Sequence, residues 1–487
     1  MHAIFMAVAL ATPGPAPKST PTPIPAATPA QSMPYPAYGT PAPAVSAQRA
    51  QPGVPPQISL PEAVAIAAAK SPVLAIARGD YRLTQLSVNL ARTGLFPNLS
   101  ATASVTRSFG SGRSSSGSST GGTGSGGTGS GAIGSAFTSE GINANLRQLI
   151  FDGGKVIAQI HQAESNELAG AGTYERSLET LAFNVAQAYY NALQAHATTQ
   201  LAAQVVHQNQ VQENLVLAQL RAGTASRVDL ATAQLPTAQA RVALVKAQGT
   251  ELSAVATFAN TLGLDADTLV QPINDTPSNP TASLLPSELL NYDQALARAL
   301  AERPDYLSAQ YAVQAAAYSV KAARAGFFPT LTGNGSYGTN STTASGTDFR
   351  SSGSVGVTLS IPIFDQGVTH VQVEQAQTQL DIATSQLQDN KLGVELAVRQ
   401  ALIGLVSAQA ALGQAQAELN KAQEILRATQ AQYRAGVTTL PLLLNAQVGL
   451  TTAETDQLNA VYGLRQAEQS YLYALGENAP STSTTAP

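Results

Sequence analysis

The side chains best able to exchange a proton near neutral pH are five histidines: His2, His161, His196, His207 and His370. No two stand in the H-x-x-x-H or H-E-x-x-H spacing that aims two imidazoles from one helix face at a zinc ion. His161 and Glu164 lie one helical turn apart, which on a polar face is ordinary solvation. Gly153-Gly154-Lys155 has the ending of a phosphate loop. Leu149, however, occupies the place of the first glycine of G-x-x-x-x-G-K, and Val156 follows the lysine where Ser or Thr would meet magnesium. There is no cysteine, so no thiol nucleophile, thiolate zinc site or disulfide, and no G-x-S-x-G turn. The three methionines, Met1, Met6 and Met33, all precede the repeated part of the chain, which leaves no thioether path for copper(I). A net charge of −4 gives no electrostatic case for nucleic acid. The expectation is no enzyme, no cofactor and no metal, and a function carried by architecture.

The architecture is duplicated. Leu60-Pro61-Glu62-Ala63 through Phe96-Pro97 matches Tyr292-Asp293-Gln294-Ala295 through Phe328-Pro329, with Pro72 on Pro304, at an offset of 232 residues. From Phe151-Asp152-Gly153-Gly154 onward, matched by Phe364-Asp365-Gln366-Gly367, the offset is 213, and it holds through Ala222-Gly223 on Ala435-Gly436 and Leu262-Gly263 on Leu475-Gly476. The drop of 19 residues, from 232 to 213, falls between Pro97 and Phe151, where the first half carries the Gly/Ser tract Gly110–Ser135. That tract reads as a variable external loop. Charged residues make up only 11% of the chain and aromatics 5%, while alanine supplies much of the 44% hydrophobic content. Small side chains suit closely packed helices better than a thick core.

In each half the periodicity changes. Leu60–Leu95 reads as helix, broken only by Pro72, Gly79 and Gly94. Leu99, Ala101, Ala103 and Val105 then alternate with small polar residues, as do Ile142, Ala144 and Leu146, and in the second half Val355, Val357, Leu359 and Ile361. Period two marks strands. Val156–Ala222 and Thr369–Ala435 contain no proline, and Leu181, Val185, Ala188 and Ala192 share the 4,3,4 seam of Val394, Val398, Ala401 and Leu405. Such helices are about 100 Å long at about 1.5 Å per residue. Gly223 and Gly436 end them. A second helix follows each, Val228–Leu262 and Pro441–Leu475, the first capped by Ser226 with Asp229 three residues on. Two short helices laid end to end would match one long one.

Each half supplies one hairpin, hence four strands whose apolar faces alternate with polar ones, the pattern of a barrel facing lipid outside and a polar lumen inside. Phe96, Phe151, Phe328 and Phe364 form a girdle at the helix end of the strands, and Phe109, Phe137, Tyr337 and Phe349 flank the loops. Four strands cannot close, and an open edge is not tolerated in lipid. A membrane barrel of this chain must therefore be an oligomer, and three copies would give twelve strands. No stretch of eighteen apolar residues marks a membrane-crossing helix.

Taken in order, Phe-Pro before each hairpin, LRQLIFDGG (Leu146–Gly154), LSIPIFDQG (Leu359–Gly367), RAGTASRVDLATAQ (Arg221–Gln234) and YRAGVTTLPLLLNAQ (Tyr433–Gln447) resemble the outer membrane efflux protein family, the TolC-like channels, over about residues 57–476. The resemblance implies a mainly α fold with a membrane β-barrel. In it, four strands per chain enter a homotrimeric twelve-stranded barrel, which a long helical barrel continues into the periplasm. It implies an export duct in the cell outer membrane for drugs, toxic small molecules or proteins, as in tripartite efflux and type I secretion. The partners would be outer-membrane lipid, a periplasmic adaptor and an inner-membrane transporter. By position, the family's adaptor-docking and gate region falls on Arg221, Gly223, Thr224, Arg227 and Asp229, with Tyr433, Arg434, Gly436, Thr438 and Thr439. Some members carry acids just after the second turn. Leu442 and Asn445 stand there instead, which leaves an acidic entrance ring and its cation block in doubt.

The chain divides into a signal-like start and Pro-rich linker over 1–56, a first repeat over 57–270, a linker over 271–290, a second repeat over 291–476 and a tail over 477–487. Met1–Ala11 has a short apolar run ending Ala-Leu-Ala without a basic n-region, so it reads as a signal peptide remnant or a mis-assigned start, or equally as a disordered terminus. Without cysteine it offers no site for a lipid anchor. Thr12–Pro56 holds 14 of the 28 prolines and reads as disordered or polyproline linker. The alternative to a duct is a periplasmic coiled-coil structural protein with soluble hairpins. A diffusion porin would not need helices of about 100 Å.

Overall fold

The computed structural model describes residues 57–108, 137–265, 267–268, 270–273, 291–342 and 350–477. All of them belong to one compact unit, Pro55–Pro487. The Pro-rich start, the Gly/Ser tract with Phe109, most of the 271–290 linker, Phe349 and most of the tail lie outside the described residues, as does the side chain of Phe137.

The chain runs β1 (Gln57–Ile58), α1 (Leu60–Lys70), α2 (Pro72–Thr93), β2 (Asn98–Ser108), β3 (Phe137–Phe151), α3 (Lys155–Arg221), α4 (Arg227–Thr261), β4 (Gln271–Pro272), α5 (Tyr292–Glu302), α6 (Pro304–Arg324), β5 (Thr330–Thr342), β6 (Arg350–Ser360), α7 (Val368–Arg434) and α8 (Leu440–Leu475). The long helices α3 and α7 each span 67 residues. The single helix expected over Leu60–Leu95 is two, broken at Ser71 and bent by 55°. Proline at position 72 has no N–H to give the preceding turn and pushes Ser71 into extended backbone (φ −65°, ψ 122°). Gly79 sits inside α2 without breaking it. The second half breaks at the same place, with Arg303 extended before Pro304. In α4, Pro236 is carried within the helix.

The strands form one antiparallel sheet in the order β2-β3-β5-β6. Its register places apolar on apolar: Leu99 opposite Leu146, Ala101 opposite Ala144, Ala103 opposite Ile142, and Leu331 opposite Leu359. Because a one-residue slip would move every side chain to the other face, this pairing fixes one apolar surface across all four strands. Tyr337 does not flank a loop as expected. It lies near the middle of β5, paired with Ala144 and Gly353, where its ring covers the space left by a glycine without a side chain. A second, two-residue parallel pairing joins β1 to β4.

On the strand side of the molecule the helices neighbour one another in the order α2-α3-α6-α7, and on the hairpin side in the order α4-α3-α8-α7. The short helices α2 and α4 thus both lie along α3, one on each half, as their lengths require. Two cores occupy the junction. In the first, Ala63, Ala67, Leu181, Val185, Ala192, Phe258 and Leu262 pack together. The second uses the repeat-equivalent positions Ala295, Ala299, Val394, Val398, Leu405, Tyr471 and Leu475. Alanine lets α1 and α5 approach the long helices closely, so a thin core still excludes water. Arg465 and Glu468 pair at 2.8 Å, both almost fully buried. Where the halves meet, Arg176 bonds Glu179 at 2.8 Å and stacks its guanidinium 3.8 Å from the Tyr473 ring centre. Burial pushes the Glu179 carboxyl up despite Arg176. Burial also opposes the charge on Asp305, yet Arg303, 3.0 Å away, holds that carboxyl below its ordinary range.

By length and composition, α7 contains an 18-residue window apolar enough to cross a membrane, and only 17% of it is buried within the chain. The run is rich in Ala, Leu and Val on the outer as well as the inner face, which the seam pattern alone did not reveal. Leu405→Ala removes a side chain with no exposure from the second core. It should lower stability by about 2–5 kcal/mol. Ala192→Leu at the equivalent place in the first core should cost about 1–3 kcal/mol through overpacking. Denaturant unfolding of the detergent-solubilised protein measures both.

Candidate functional site

Two structures in each half aim the rest of the molecule: the start of the long helix and its end. At the start, Asp152 accepts from Gly154 N–H at 3.0 Å and from Val156 N–H at 2.7 Å. Asp365 does the same for Gly367 at 3.1 Å and Thr369 at 2.8 Å. Gly154 and Gly367 share a φ of 85°. The Phe-Asp-x-Gly motif is thus a helix cap that turns the chain from strand into helix. It also explains why Gly153-Gly154-Lys155 cannot hold phosphate: an aspartate already takes the N–H groups a phosphate would need. The aromatics expected as a girdle stand at this junction. Phe96 and Phe328 sit two residues before β2 and β5, Phe151 ends β3, and Phe364 lies just beyond β6. All four are exposed within the single chain, Phe364 at 85%.

The far ends of α3 and α7 are built alike. Gly223 has φ 77° and Gly436 φ 72°. Thr224 N–H donates to Gln219 O at 2.9 Å and Gly223 N–H to Leu220 O at 3.0 Å. Val437 and Gly436 repeat this on Gln432 O and Tyr433 O, at 2.9 and 3.0 Å. These are Schellman turns, which need a left-handed residue at this position. After the first turn Ser226 and Asp229 form a capping box: Asp229 N–H donates to Ser226 Oγ at 3.1 Å, and the Asp229 carboxylate accepts from Ser226 N–H at 2.8 Å. Hydrogen bonds from the Ser226 backbone, then from its hydroxyl, hold the Asp229 carboxyl below its ordinary range. The second turn lacks this box. Thr439 makes no side-chain cap, and Pro441 sits in the first turn of α8.

The two tips are tied together. Tyr433 Oη donates to Gln219 Oε1 at 3.2 Å. Leu440 and Leu444 of the second hairpin pack with Val216 and Ala233 of the first, and Ala225, Leu230 and Tyr433 close over them. Arg221, Arg227, Arg434, Gly436 and Thr439 are exposed, as are Thr224 and Gly223, while Asp229 and Thr438 are half-buried. Leu442 and Asn445, which stand where an acidic ring would be, are exposed too. The sequence reading missed Gln219 and the Val216–Leu440 plug. The apolar run Leu440–Leu444 was the signal for the plug. The Tyr433–Gln219 bond joins residues 214 apart and had none.

Elsewhere, His161 Nδ1 lies 3.1 Å from Glu164, which also takes Arg92 at 3.0 Å, on an exposed face. His196 lies 2.6 Å from Glu251. Among the described residues no group of three or more His, Asp or Glu is arranged to hold a metal.

A family model described as outer membrane efflux protein matches residues 63–264 and 295–477. The outer membrane efflux protein BepC of Brucella suis is 27% identical over 339 residues, covering 68% of this chain and 72% of that protein. The outer membrane protein TolC of Escherichia coli is 26% identical, covering 69% and 71%. The crystal structure of the outer membrane protein VceC of Vibrio cholerae superposes with a TM-score of 0.70 over 86% of this chain and 96% of that one, at 19% identity.

The capping box is open to a direct test. Ser226→Ala should cost about 0.5–2 kcal/mol at the start of α4. Because the folded-state Asp229 carboxyl lies below its ordinary value, its support is present at neutral pH and is lost as pH falls through that lowered value. The protection factor of the Ser226 amide, its exchange rate set against the intrinsic rate at each pH, should therefore fall on acidification, and Asp229→Asn should remove that pH dependence.

Proposed function

This chain belongs to the outer membrane efflux protein family, and from that premise we propose that three copies form a closed duct through which drugs, toxic small molecules or proteins leave the periplasm. The chain is an outer-membrane channel protein with the TolC-like fold. The trimer, its cargo and its partners are the parts inferred here.

The observation that carries the trimer is the agreement of every open edge. β2 and β6 are the outer strands of the sheet, each with one side unpaired. On the helical side the outer elements are α2 and α4 at one flank and α7 at the other. Apolar residues stand exposed at heptad spacing on these same helices: Ile76, Leu83 and Leu90 on α2, Val228, Leu235 and Val242 on α4, and Leu396 and Ile403 on α7. Seven-residue spacing is that of a seam looking for a neighbouring helix. Flank one of one copy therefore fits flank two of the next, head to tail, and such contacts close into a ring. Three copies of four strands make twelve, within the range of bacterial barrels. The apolar window on α7 is then a subunit contact along the helical barrel. Phe96, Phe151, Phe328 and Phe364 become the periplasmic-side girdle of the barrel.

The repeats over 57–270 and 291–476 become the two halves of each wall. The paired tips, Arg221 to Asp229 and Tyr433 to Thr439, form the periplasmic entrance, where a periplasmic adaptor and the inner-membrane transporter behind it would meet the duct. Energy would come from that transporter; among the described residues no group of three or more His, Asp or Glu is arranged to hold a coupling ion. The Tyr433–Gln219 tie and the Leu440 plug are what opening would have to loosen.

Native mass measurement of the detergent-extracted protein should give a trimer, and a stable monomer retaining full strand content would sink this reading. At the tips, Gly223→Val and Gly436→Val each force a β-branched residue into left-handed backbone at about 1–2 kcal/mol. Hundreds of ordered residues absorb that, so both variants should reach normal trimer levels in the outer membrane but lose adaptor crosslinking and export. Normal export in both would confine these glycines to turn formation.

A further inference from the structure

The charge of this chain is unevenly placed. Residues 214–241 and 425–453, the ends of the two helical hairpins, hold Arg221, Arg227, Arg241, Arg427 and Arg434, no lysine, and one acid, Asp229. The whole chain has 26 basic against 30 acidic residues, so the hairpin ends run against the balance of the rest. The next acids outward are Glu213, Glu251, Glu424 and Glu454; Glu424 is bound to Lys421 at 2.9 Å and Glu251 lies 2.6 Å from His196. All five arginines are exposed. None forms an ion pair among the described residues. Asp229 offsets one of these five charges and leaves an excess of four, and its carboxylate is bonded to Ser226 rather than paired with an arginine.

Local stability explains only part of this. Arg221 and Arg434 end the long helices α3 and α7, where the helix dipole favours a cation. Arg227 opens α4, where the dipole disfavours one. Arg427 lies seven residues before Arg434 and so shares its face.

A second, independent feature lies at the same end. A cavity of about 360 Å³ separates α3 from α7 and α8, and its walls include His207, Gln212, Tyr433, Arg434 and Gln447. Gln212 is only 9% exposed. Its Nε2 has no hydrogen-bond partner, and neither does Gln447 Oε1 in the same wall. Buried polar groups are paired in folded proteins, so an unmet donor and an unmet acceptor beside an arginine describe an occupant that brings both complements. A carboxylate accepts from Gln212 Nε2 and the Arg434 guanidinium. Gln447 Oε1 needs an N–H. A polypeptide with an acidic side chain supplies the two together, whereas a fully ionised phosphate supplies no donor.

We propose that the hairpin ends are a cationic collar that docks an acidic polypeptide surface, with a carboxylate of that partner seated on Arg434 and Gln212. This rests on the reading of the tips as the periplasmic docking end and names the chemistry of what docks there.

The test uses the full-length protein in detergent and fluorescein-labelled poly-L-glutamate, followed by anisotropy at low and high salt. Binding should occur and weaken steeply with salt, as screened charge contacts do. The variant R221Q/R227Q/R427Q/R434Q should bind at least tenfold more weakly. The matching lysine substitutions, which keep the charge, should retain most of the affinity. Gln212→Leu should weaken binding several-fold without changing the salt dependence, and Lys421→Gln should change nothing. Native mass measurement confirms that each variant keeps the oligomer. No binding, or equal binding by the glutamine variant, would overturn the proposal. So would displacement of the peptide by tripolyphosphate at matched charge, which would mark a small-anion site, or by phosphatidylglycerol vesicles, which would mark a lipid surface. Failure of the duct reading is separable: the protein would then pass no current in planar bilayers while still binding poly-L-glutamate.

Discussion

An unpaired strand edge cannot remain in hydrocarbon. Each open N–H or C=O there costs several kcal/mol, with no water to take its place. The sheet has two such edges, the eleven-residue strands β2 and β6. A fold that is complete in every other respect, with paired strands, capped helices and closed cores, is therefore unfinished as a single chain. The flanks of the helical part follow the flanks of the sheet: α2 and α4 continue below β2, and α7 below β6. The proposed head-to-tail contact would answer the sheet and the helices together, from barrel to hairpin tip.

That constraint explains why so much apolar surface stays exposed in one copy. Val355 at 94% and Phe364 at 85% would be liabilities on a soluble monomer. On a barrel wall they face lipid or its interface. The heptad stripes on α2, α4 and α7 would be equally hard to explain without a neighbour. In the proposed trimer the internal cores need do only part of the burying. Alanine at Ala63, Ala67, Ala295 and Ala299 packs the short helices tightly against α3 and α7.

Duplication makes the halves alike where they face the same task and different where they do not. The Asp152 and Asp365 caps agree to within about a tenth of an ångström, and the two Schellman turns agree in φ to within a few degrees. The residues after those turns diverge. Ser226 and Asp229 lock the first, while Pro441 and a run of leucines begin the second and reach across to Val216. The asymmetry gathers at the hairpin tips, where the two hairpins hold one another and where the proposed function places the partner.

Much of this was determined by the sequence alone. Hydrophobic period is a local property, so the long helices and the hairpin glycines were legible to within a residue, while the strands showed only as short alternating runs inside longer ones, β3 reaching from Phe137 to Phe151 and β6 beginning at Arg350, and the constant offset made the second half a check on the first. The Ser226–Asp229 box could be read because its two residues are three apart. Other features were decided only by tertiary structure. The bend at Ser71 turned on whether Pro72 would break a helix or open a new one, and it opened one. Tyr337 looked like a loop-flanking aromatic until the register set it over Gly353 at mid-strand. The Tyr433–Gln219 tie, the Arg176–Tyr473 stack and the shared cavity of Gln212 and Gln447 join residues more than two hundred positions apart. No spacing rule reaches that far, because such contacts depend on how whole helices lie against each other. The physical divide is range: backbone geometry and side-chain periodicity act over a few residues, and everything that links one hairpin to the other waits for the packing of α3 against α8.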